Sequence, residues 1–429
     1  MASQYFQLTL GLLVLINIFI GSPSFADDGW NRFRGANASG AIDSAQIPLT
    51  WSDTENLAWK TALPGHGSSS PIVRGGRVYL TAYSGYALDV EKPGDLANLR
   101  LHTLCVDLES GKIVWDETIE PSKHEQEASH RIIDHGYASP TPTVDDEAVY
   151  AAFGPSGLVA YDLTGKMLWQ RSVGTNTKGF GAASSPILYK DLVIINASIE
   201  DQAAYGLNKK TGEVVWRTED IREAWTTPSL VVLPDGSTEL VINQKNWILA
   251  FEPETGKELW RCKGIEDYVV PCVVVEGDML YCSGGRQNRT IAVRAGGRGD
   301  VTATHKIWEI VAGANVTSPL YHDGYLYWSH DKSMALCVKA SDGQEIFRER
   351  LATSGRIYAS VVMAGDRLLM TTRDAGVIVL AAEPKYRELG VNRLGSESES
   401  FNATPAIVGN SVLIRSDQFL YRIAATIKK

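Results

Sequence analysis

Along most of this chain apolar and polar residues alternate in short runs, and the three-and-four spacing of an amphipathic helix is almost absent. Such alternation predicts short strands joined by tight turns. Residues 250–260, AFEPETGKELW, carry the plainest unit: Phe251 leads into a turn of Pro253, Thr255 and Gly256, and Leu259 and Trp260 open the next strand. Variants stand at residues 105–115 (CVDLESGKIVW), 160–169 (AYDLTGKMLW), 206–216 (GLNKKTGEVVW) and 337–347 (CVKASDGQEIF). Each joins a small residue, a polar turn with glycine and a final aromatic, which marks a repeat architecture.

The other half of each repeat is a small or hydroxyl residue, a proline, an apolar pair, a Gly/Asp turn and a second apolar strand. Ser70-Pro71-Ile72-Val73, Gly75-Gly76 and Val78-Tyr79-Leu80 show it in full. Pro140, Pro186, Pro228, Pro271, Pro319 and Pro405 fit the place of Pro71, and Val361 takes it in the seventh repeat. That gives eight repeats at spacings of 69, 46, 42, 43, 48, 42 and 44 residues, the first lengthened by inserts around 84–101 and 117–134. About four short strands fit each repeat. Sheets that small cannot cover their own faces, so the expected fold is all-β, an eight-bladed β-propeller of four-stranded antiparallel blades.

The last repeat, 403–424, ends without a tryptophan, whereas residues 57–63, LAWKTAL, hold Trp59 without the strands that precede it elsewhere. An N-terminal strand joining the C-terminal blade closes the ring and removes a sheet edge. Trp59, Trp115, Trp169, Trp216, Trp260 and Trp308 are then expected as structural docking tryptophans. Residues 57–429 read as one propeller domain, and 27–56 as an N-terminal arm packed on its surface.

Apolar residues make up 44% of the chain and charged residues 21%, enough to bury a large core. Residues 1–26 carry no charge and hold an apolar run at 8–20 before Ser24-Phe25-Ala26, as in a cleaved signal peptide. The expected location is secreted or periplasmic, with no transmembrane segment in the mature chain; retention of the leader as an anchor is the alternative. A net charge of -9 argues against nucleic acid as a partner. Five cysteines without CxxC or CxxCH offer no zinc knuckle or haem attachment. Cys272 and Cys282 flank a hairpin and leave a disulfide open, although a two-residue turn would put them on opposite faces.

The small residue, acidic residue, Thr-Gly-Lys/Glu turn and terminal tryptophan resemble the docking motif of the PQQ-like repeat (quinoprotein-like) propellers, over residues 57–425. The arm WNRFRG with LAWKTALPG and SSP is similar to the secreted PQQ-like repeat proteins. More distant branches are the BamB-type assembly proteins and the quinoprotein alcohol dehydrogenases. The dehydrogenase branch implies pyrroloquinoline quinone (PQQ), a vicinal cysteine pair and calcium held by Glu, Asn and Asp; this chain has no Cys-Cys, and no residues match that ligand set. The BamB branch implies a lipidated cysteine just after the leader, but the first cysteine here is Cys105. No cofactor is therefore expected, with PQQ the possibility to test, and no lipid anchor.

In a propeller the innermost strands line a central channel, and the residues before each proline lead into it. Alternation sorts them into layers. One before the proline, small residues dominate. Three before stand Tyr137, Trp225, Tyr268 and Tyr358, an aromatic belt, and five before stand His66, His135, Glu223, Glu266 and Arg356, a charged rim. This funnel is the expected ligand-binding site. The alternative is packing: the aromatics between sheets, and Glu223 or Glu266 paired with Arg222 or Lys263.

His124, His130 and His135, with Glu125, Glu127 and Asp134 nearby, are the candidates for a metal, but their spacing matches no zinc motif and none is assigned. GxSxG, P-loop and GxGxxG helix motifs are absent. The function expected is a scaffold, likewise a monomer, that binds a small molecule, glycan or protein. A PQQ-dependent oxidoreductase of the alcohol or sugar dehydrogenase type is the alternative, and a hydrolase or lyase using rim His and Glu residues the second.

Overall fold

The structure is a computed structural model that describes residues 29–425 except 90, 130, 131, 133, 354 and 375; the expected leader lies outside the described residues. Eight small antiparallel sheets follow one another along the chain. Blade 3 is typical, with strands Ile187–Tyr189, Leu192–Ala197, Ala203–Asn208 and Val214–Glu219 running from the axis outward. Its second strand is buried at every position because neighbouring blades cover both faces, so it reads as a continuous apolar run. Only the outermost strand alternates between buried and exposed. The last blade consists of Ala406–Val408, Ser411–Arg415 and Phe419–Ala424, and Leu57–Ala62 pairs antiparallel with Phe419–Ala424 as its outer strand. The ring closes as expected.

Blades dock through the repeat's own tryptophan and glycine. The indole N–H of Trp59 donates to Leu108, that of Trp115 to Leu163, that of Trp169 to Lys209, that of Trp216 to Pro253 and that of Trp308 to Ala340, each a carbonyl in the next blade's turn. The ring lies flat on that turn's glycine. A Cβ on Gly256 would meet the Trp216 ring at 2.5 Å, and its φ of +67° is itself left-handed, so no other residue fits. Trp260 docks differently: it donates to the Glu239 carboxylate of its own blade at 2.7 Å. Residues 295–301 supply a short strand, Gly299–Asp300, that pairs parallel with the Trp260 strand and covers the edge of blade 4.

The arm departs from its expected place on the surface. Trp30 and Arg34 are fully buried, and the arm lies across the end of the channel. Val73 and Val144, in the innermost strands of blades 1 and 2, donate their amides to the carbonyls of Trp30 and Asn31. Across the ring, Arg34 donates to the Pro319 carbonyl at 2.5 Å and Arg32 to that of Pro228 at 3.4 Å. Burial lowers the pKa of both guanidiniums to about 10. They remain charged at neutral pH, held by carbonyl dipoles. Beyond the plug, Ala41–Ile42 adds a parallel strand inside blade 7, and Trp51 joins the core shared by blades 1, 7 and 8.

Off the channel, between blades 2 and 3, Glu200 is buried, and burial raises its pKa to about 7, well above the ordinary carboxylate value of about 4.3. The folded chain holds a proton that the unfolded chain releases, so stability is greatest below the unfolded pKa and falls as pH rises toward the folded one. Glu200→Gln is expected to leave stability nearly unchanged at about pH 4 and to raise it by about 3 kcal/mol at about pH 8. Urea unfolding at the two pH values checks this; an equal effect at both contradicts it.

All five cysteines are free and buried, so Cys272 and Cys282 are not bridged. Among the described residues, no helix is long and apolar enough to cross a membrane.

Candidate functional site

The innermost strands place one small residue per blade on the channel wall: Ser70, Thr141, Ser185, Thr227, Cys272, Ser318, Ser360 and Thr404. Their backbones and side chains form a girdle. Ser70 N–H donates to Thr141 Oγ1, Thr141 to Ser185 and Ser185 to Thr227; then Cys272 donates to Ser318, Ser318 to Ser360, Ser360 to Thr404 and Thr404 back to Ser70, all at 2.9–3.0 Å. Between blades 4 and 5, where Cys272 replaces a hydroxyl, the Ser229 hydroxyl ties to the Val273 carbonyl instead. The need for a short acceptor at each station explains the Ser/Thr bias.

The girdle corrects the register in two blades. The innermost strands of blades 2 and 5 begin at Thr143 and Val274, so Pro142 and Val273, not Pro140 and Pro271, occupy the common position. The slip is two residues, and a slip of two keeps every side chain on the same face while moving it one layer. Ser139 and Val270 therefore stand in the second layer, with Ser68, Ala183, Trp225, Val316, Tyr358 and Asn402. Tyr268 moves outward to the mouth.

These layers enclose a cavity of about 250 Å³, with Phe33 of the arm also in its wall. Of the nine expected binding residues, His135, Trp225, Tyr268 and Tyr358 line it. The other five stand elsewhere. Tyr137 packs against Tyr83 and Tyr86 and donates to the Gln126 carbonyl. His66 packs edge-on against Tyr83. Glu223 is held between Lys178 at 2.6 Å and Lys245 at 3.0 Å, as an ion pair with partners other than Arg222. Glu266 is exposed; Arg356 is exposed beside the Tyr358 hydroxyl at 3.4 Å.

Five rings follow one another along the wall. Tyr358 meets His135 at 5.2 Å between centroids, His135 meets Phe180 at 6.1 Å, Phe180 meets Trp225 at 6.4 Å and Trp225 meets Tyr268 at 6.0 Å, every pair edge-to-face. Burial lowers the His135 pKa to about 4, so that ring is neutral at working pH. The Trp225 indole donates to the Gly181 carbonyl at 2.8 Å, which fixes the loop carrying Phe180. Blade 6 interrupts the arc with Asn315 and Asp331. The imidazole of His330, 2.8 Å away, holds the Asp331 carboxyl below its ordinary range. The Asn315 amide donates to the Tyr268 hydroxyl at 2.8 Å and the Asn402 amide to the Asp134 carbonyl at 2.9 Å; the side-chain oxygens of both asparagines are buried without a hydrogen-bond partner. Among the described residues Asp331 is the only charged side chain of the lining, and no lysine or arginine joins it.

Phe33, Phe180, Asn315 and Asp331 escape sequence reasoning because they arrive on loops or the arm, outside the alternation that orders the strands. Of the metal candidates, His124 is exposed and His130 lies outside the described residues; among the described residues no three His, Cys, Asp or Glu side chains are grouped to hold a metal.

The same architecture recurs in known proteins. A family model described as outer membrane protein assembly factor BamB matches residues 100–298 and 244–418. Tetrathionate hydrolase from Acidithiobacillus ferrooxidans is 22% identical over 352 residues, a match that covers 75% of this chain and 66% of that protein. Among solved structures, a europium-containing methanol dehydrogenase is similar with a TM-score of 0.64 and 14% identity, over 90% of this chain and 89% of that one. Quinohemoprotein alcohol dehydrogenase from Comamonas testosteroni gives 0.63 and 11%, over 93% and 81%. BamB from Moraxella catarrhalis gives 0.57 and 12%, over 85% and 98%. At such identities these structures share the fold alone, but the family matches run through most of the ring, and the chain belongs to the PQQ-like repeat, eight-bladed propeller family whose model is named for BamB.

Proposed function

We propose that this chain is a secreted or periplasmic binding propeller whose funnel takes a small molecule, or one ring or side chain of a glycan or protein. The observation that carries this reading is the arc of five aromatic rings around a cavity plugged below by the arm. A cavity near the lower end of the usual ligand-site range of about 300–1,000 Å³ suits a small group, and aromatic walls with a few polar atoms suit stacking. The uncharged leader segment supports export.

The donor set does not fit PQQ. That quinone carries three carboxylates, whereas among the described residues the lining supplies one carboxylate, two unpaired amide oxygens and no cationic side chain. A tricarboxylate there leaves its charges unpaired and repelled by Asp331. Structural likeness to quinoprotein dehydrogenases therefore carries no redox step to this chain.

Trp225→Ala combined with Tyr268→Ala is expected to abolish binding, read by titration calorimetry, of the ligands that quench the wild type's funnel tryptophan, and the wild type is expected to reduce no dye with alcohols or sugars when supplied with PQQ and calcium. Turnover under those conditions overturns the reading. Full binding by the double variant moves the site to the outer faces.

A further inference from the structure

Resting on the funnel as the binding site, we propose that its ligand is an organic cation: a quaternary ammonium or protonated amine seated inside the aromatic arc and facing Asp331. Four features of the wall converge on that chemistry, and none depends on the fold's relatives.

First, the arc is a cage. Rings from Tyr358 round to Tyr268 surround one end of the channel on every side except blade 6, with neighbouring centroids 5.2–6.4 Å apart. Electron-rich rings attract a cation placed within about 6 Å of their centroids, and the gain grows where water is excluded. Second, the one gap in the cage holds a carboxylate. Asp331 is ionised at neutral pH because its pKa lies below the ordinary range, and among the described residues of the cavity wall no other side chain carries a formal charge. An anionic ligand meets repulsion there, whereas a cationic one gives the carboxylate a second partner beside His330.

Third, the unpaired side-chain atoms among the described lining residues are acceptors. The Asn402 side-chain oxygen is buried and orphaned, and its amide cannot be turned to change this, because its N–H group already donates to the Asp134 carbonyl. The Asn315 oxygen is likewise unpaired. Buried acceptors left unmade cost about 1–3 kcal/mol each, so a ligand that brings N–H, O–H or polarised C–H donors relieves a standing penalty. Fourth, the chain's own cations already use the outer aromatics this way: the Arg286 guanidinium stands over Tyr268 at 4.9 Å and that of Arg373 over Tyr358 at 5.7 Å. Both are paired with carboxylates of their own, Asp267 and Asp134.

Val270, Val316 and Ala183 give the second layer an apolar lining that suits methyl groups better than hydroxyls. A trimethylammonium head fits this set.

The test is titration calorimetry of the full chain with tetramethylammonium, choline and the uncharged choline isostere 3,3-dimethylbutan-1-ol, with methyl glucoside as a neutral sugar. Choline is expected to bind at least about tenfold more tightly than its isostere. Asp331→Asn should remove most of that preference. Tyr268→Leu, at a half-exposed ring, should weaken choline about tenfold while the cooperative melt is retained. Equal affinity for choline and the isostere overturns the proposal, as does the absence of choline binding. Sugar binding without choline binding, lost in Trp225→Ala, overturns the cation and keeps the funnel; choline binding that survives Trp225→Ala and Tyr268→Leu overturns both.

Discussion

A chain shortened to begin at Leu63 is expected to lose the cooperative unfolding of the full-length protein and to associate. Four things leave with residues 29–62. Leu57–Ala62 is the outer strand of the last blade, and without it Phe419–Ala424 presents an unpaired edge. The Trp59 ring and its bond to Leu108 tie that blade to blade 1. The plug removes Trp30, Ala45, Ile47 and Trp51 from the core shared by blades 1, 7 and 8. Its loss also frees the Pro228 and Pro319 carbonyls and opens the channel floor at Phe33. Loss of each large buried aromatic costs about 3–5 kcal/mol, and two of them with a strand approach the whole stability of about 5–15 kcal/mol typical of a domain. Light scattering after size exclusion and a thermal melt decide the matter. A monomer that melts in one transition at the full-length temperature would show that the ring stays shut without its N-terminal strand.

Sequence carried the ring because the repeat's chemistry is local. A glycine at left-handed φ with a tryptophan lying on it recurs at five of the blade junctions, and both are visible as letters. The girdle was half legible. Its Ser/Thr bias stands in the sequence, but in blades 2 and 5 two candidate stations lie two residues apart, and only the start of the strand distinguishes Thr141 from Ser139 or Cys272 from Val270. Because that slip preserves the face, His135 and Tyr268 still fall on the channel, and Trp225 and Tyr358 stand in blades without a slip. Tyr137 was not so fortunate: the long insert of blade 1 brings Tyr86 and Gln126 beside it, and the ring satisfies its hydroxyl there.

The arm misled for a different reason. The stretch of Asn31, Arg32 and Arg34 reads as part of an arm packed on the surface, since arginine is almost never fully buried without a partner. Here the partners are backbone carbonyls on opposite sides of the ring, contacts 196 and 285 residues apart in sequence that no local pattern announces. Asp331 and Phe180 are in the same position: their importance comes from which loops meet over the channel.

Trp260→Ala is expected to cost more than the same change at any other docking tryptophan, with Trp169→Ala as the comparison. Truncating either ring leaves a cavity worth about 3–5 kcal/mol. Trp169 gives up a bond to a single backbone carbonyl at the blade's rim. Trp260 has no exposed surface, and its indole donates to Glu239, a carboxylate that is itself buried. The remaining donors to Glu239 are the Gly296 amide at 3.2 Å and Arg298 at 3.1 Å, both from the segment that lays Gly299–Asp300 along the edge of blade 4. Removing the indole thus leaves a buried charge short of one bond, about 1–3 kcal/mol beyond the cavity, and loosens the clasp between blades 4 and 5. Trp260→Phe separates the two effects, since it keeps most of the packing and loses the donor. Urea unfolding of the variants reads the difference. If Trp260→Ala and Trp169→Ala cost the same, the Glu239 link contributes nothing, and the fifth blade is held, like the others, by the weight of its ring contacts alone.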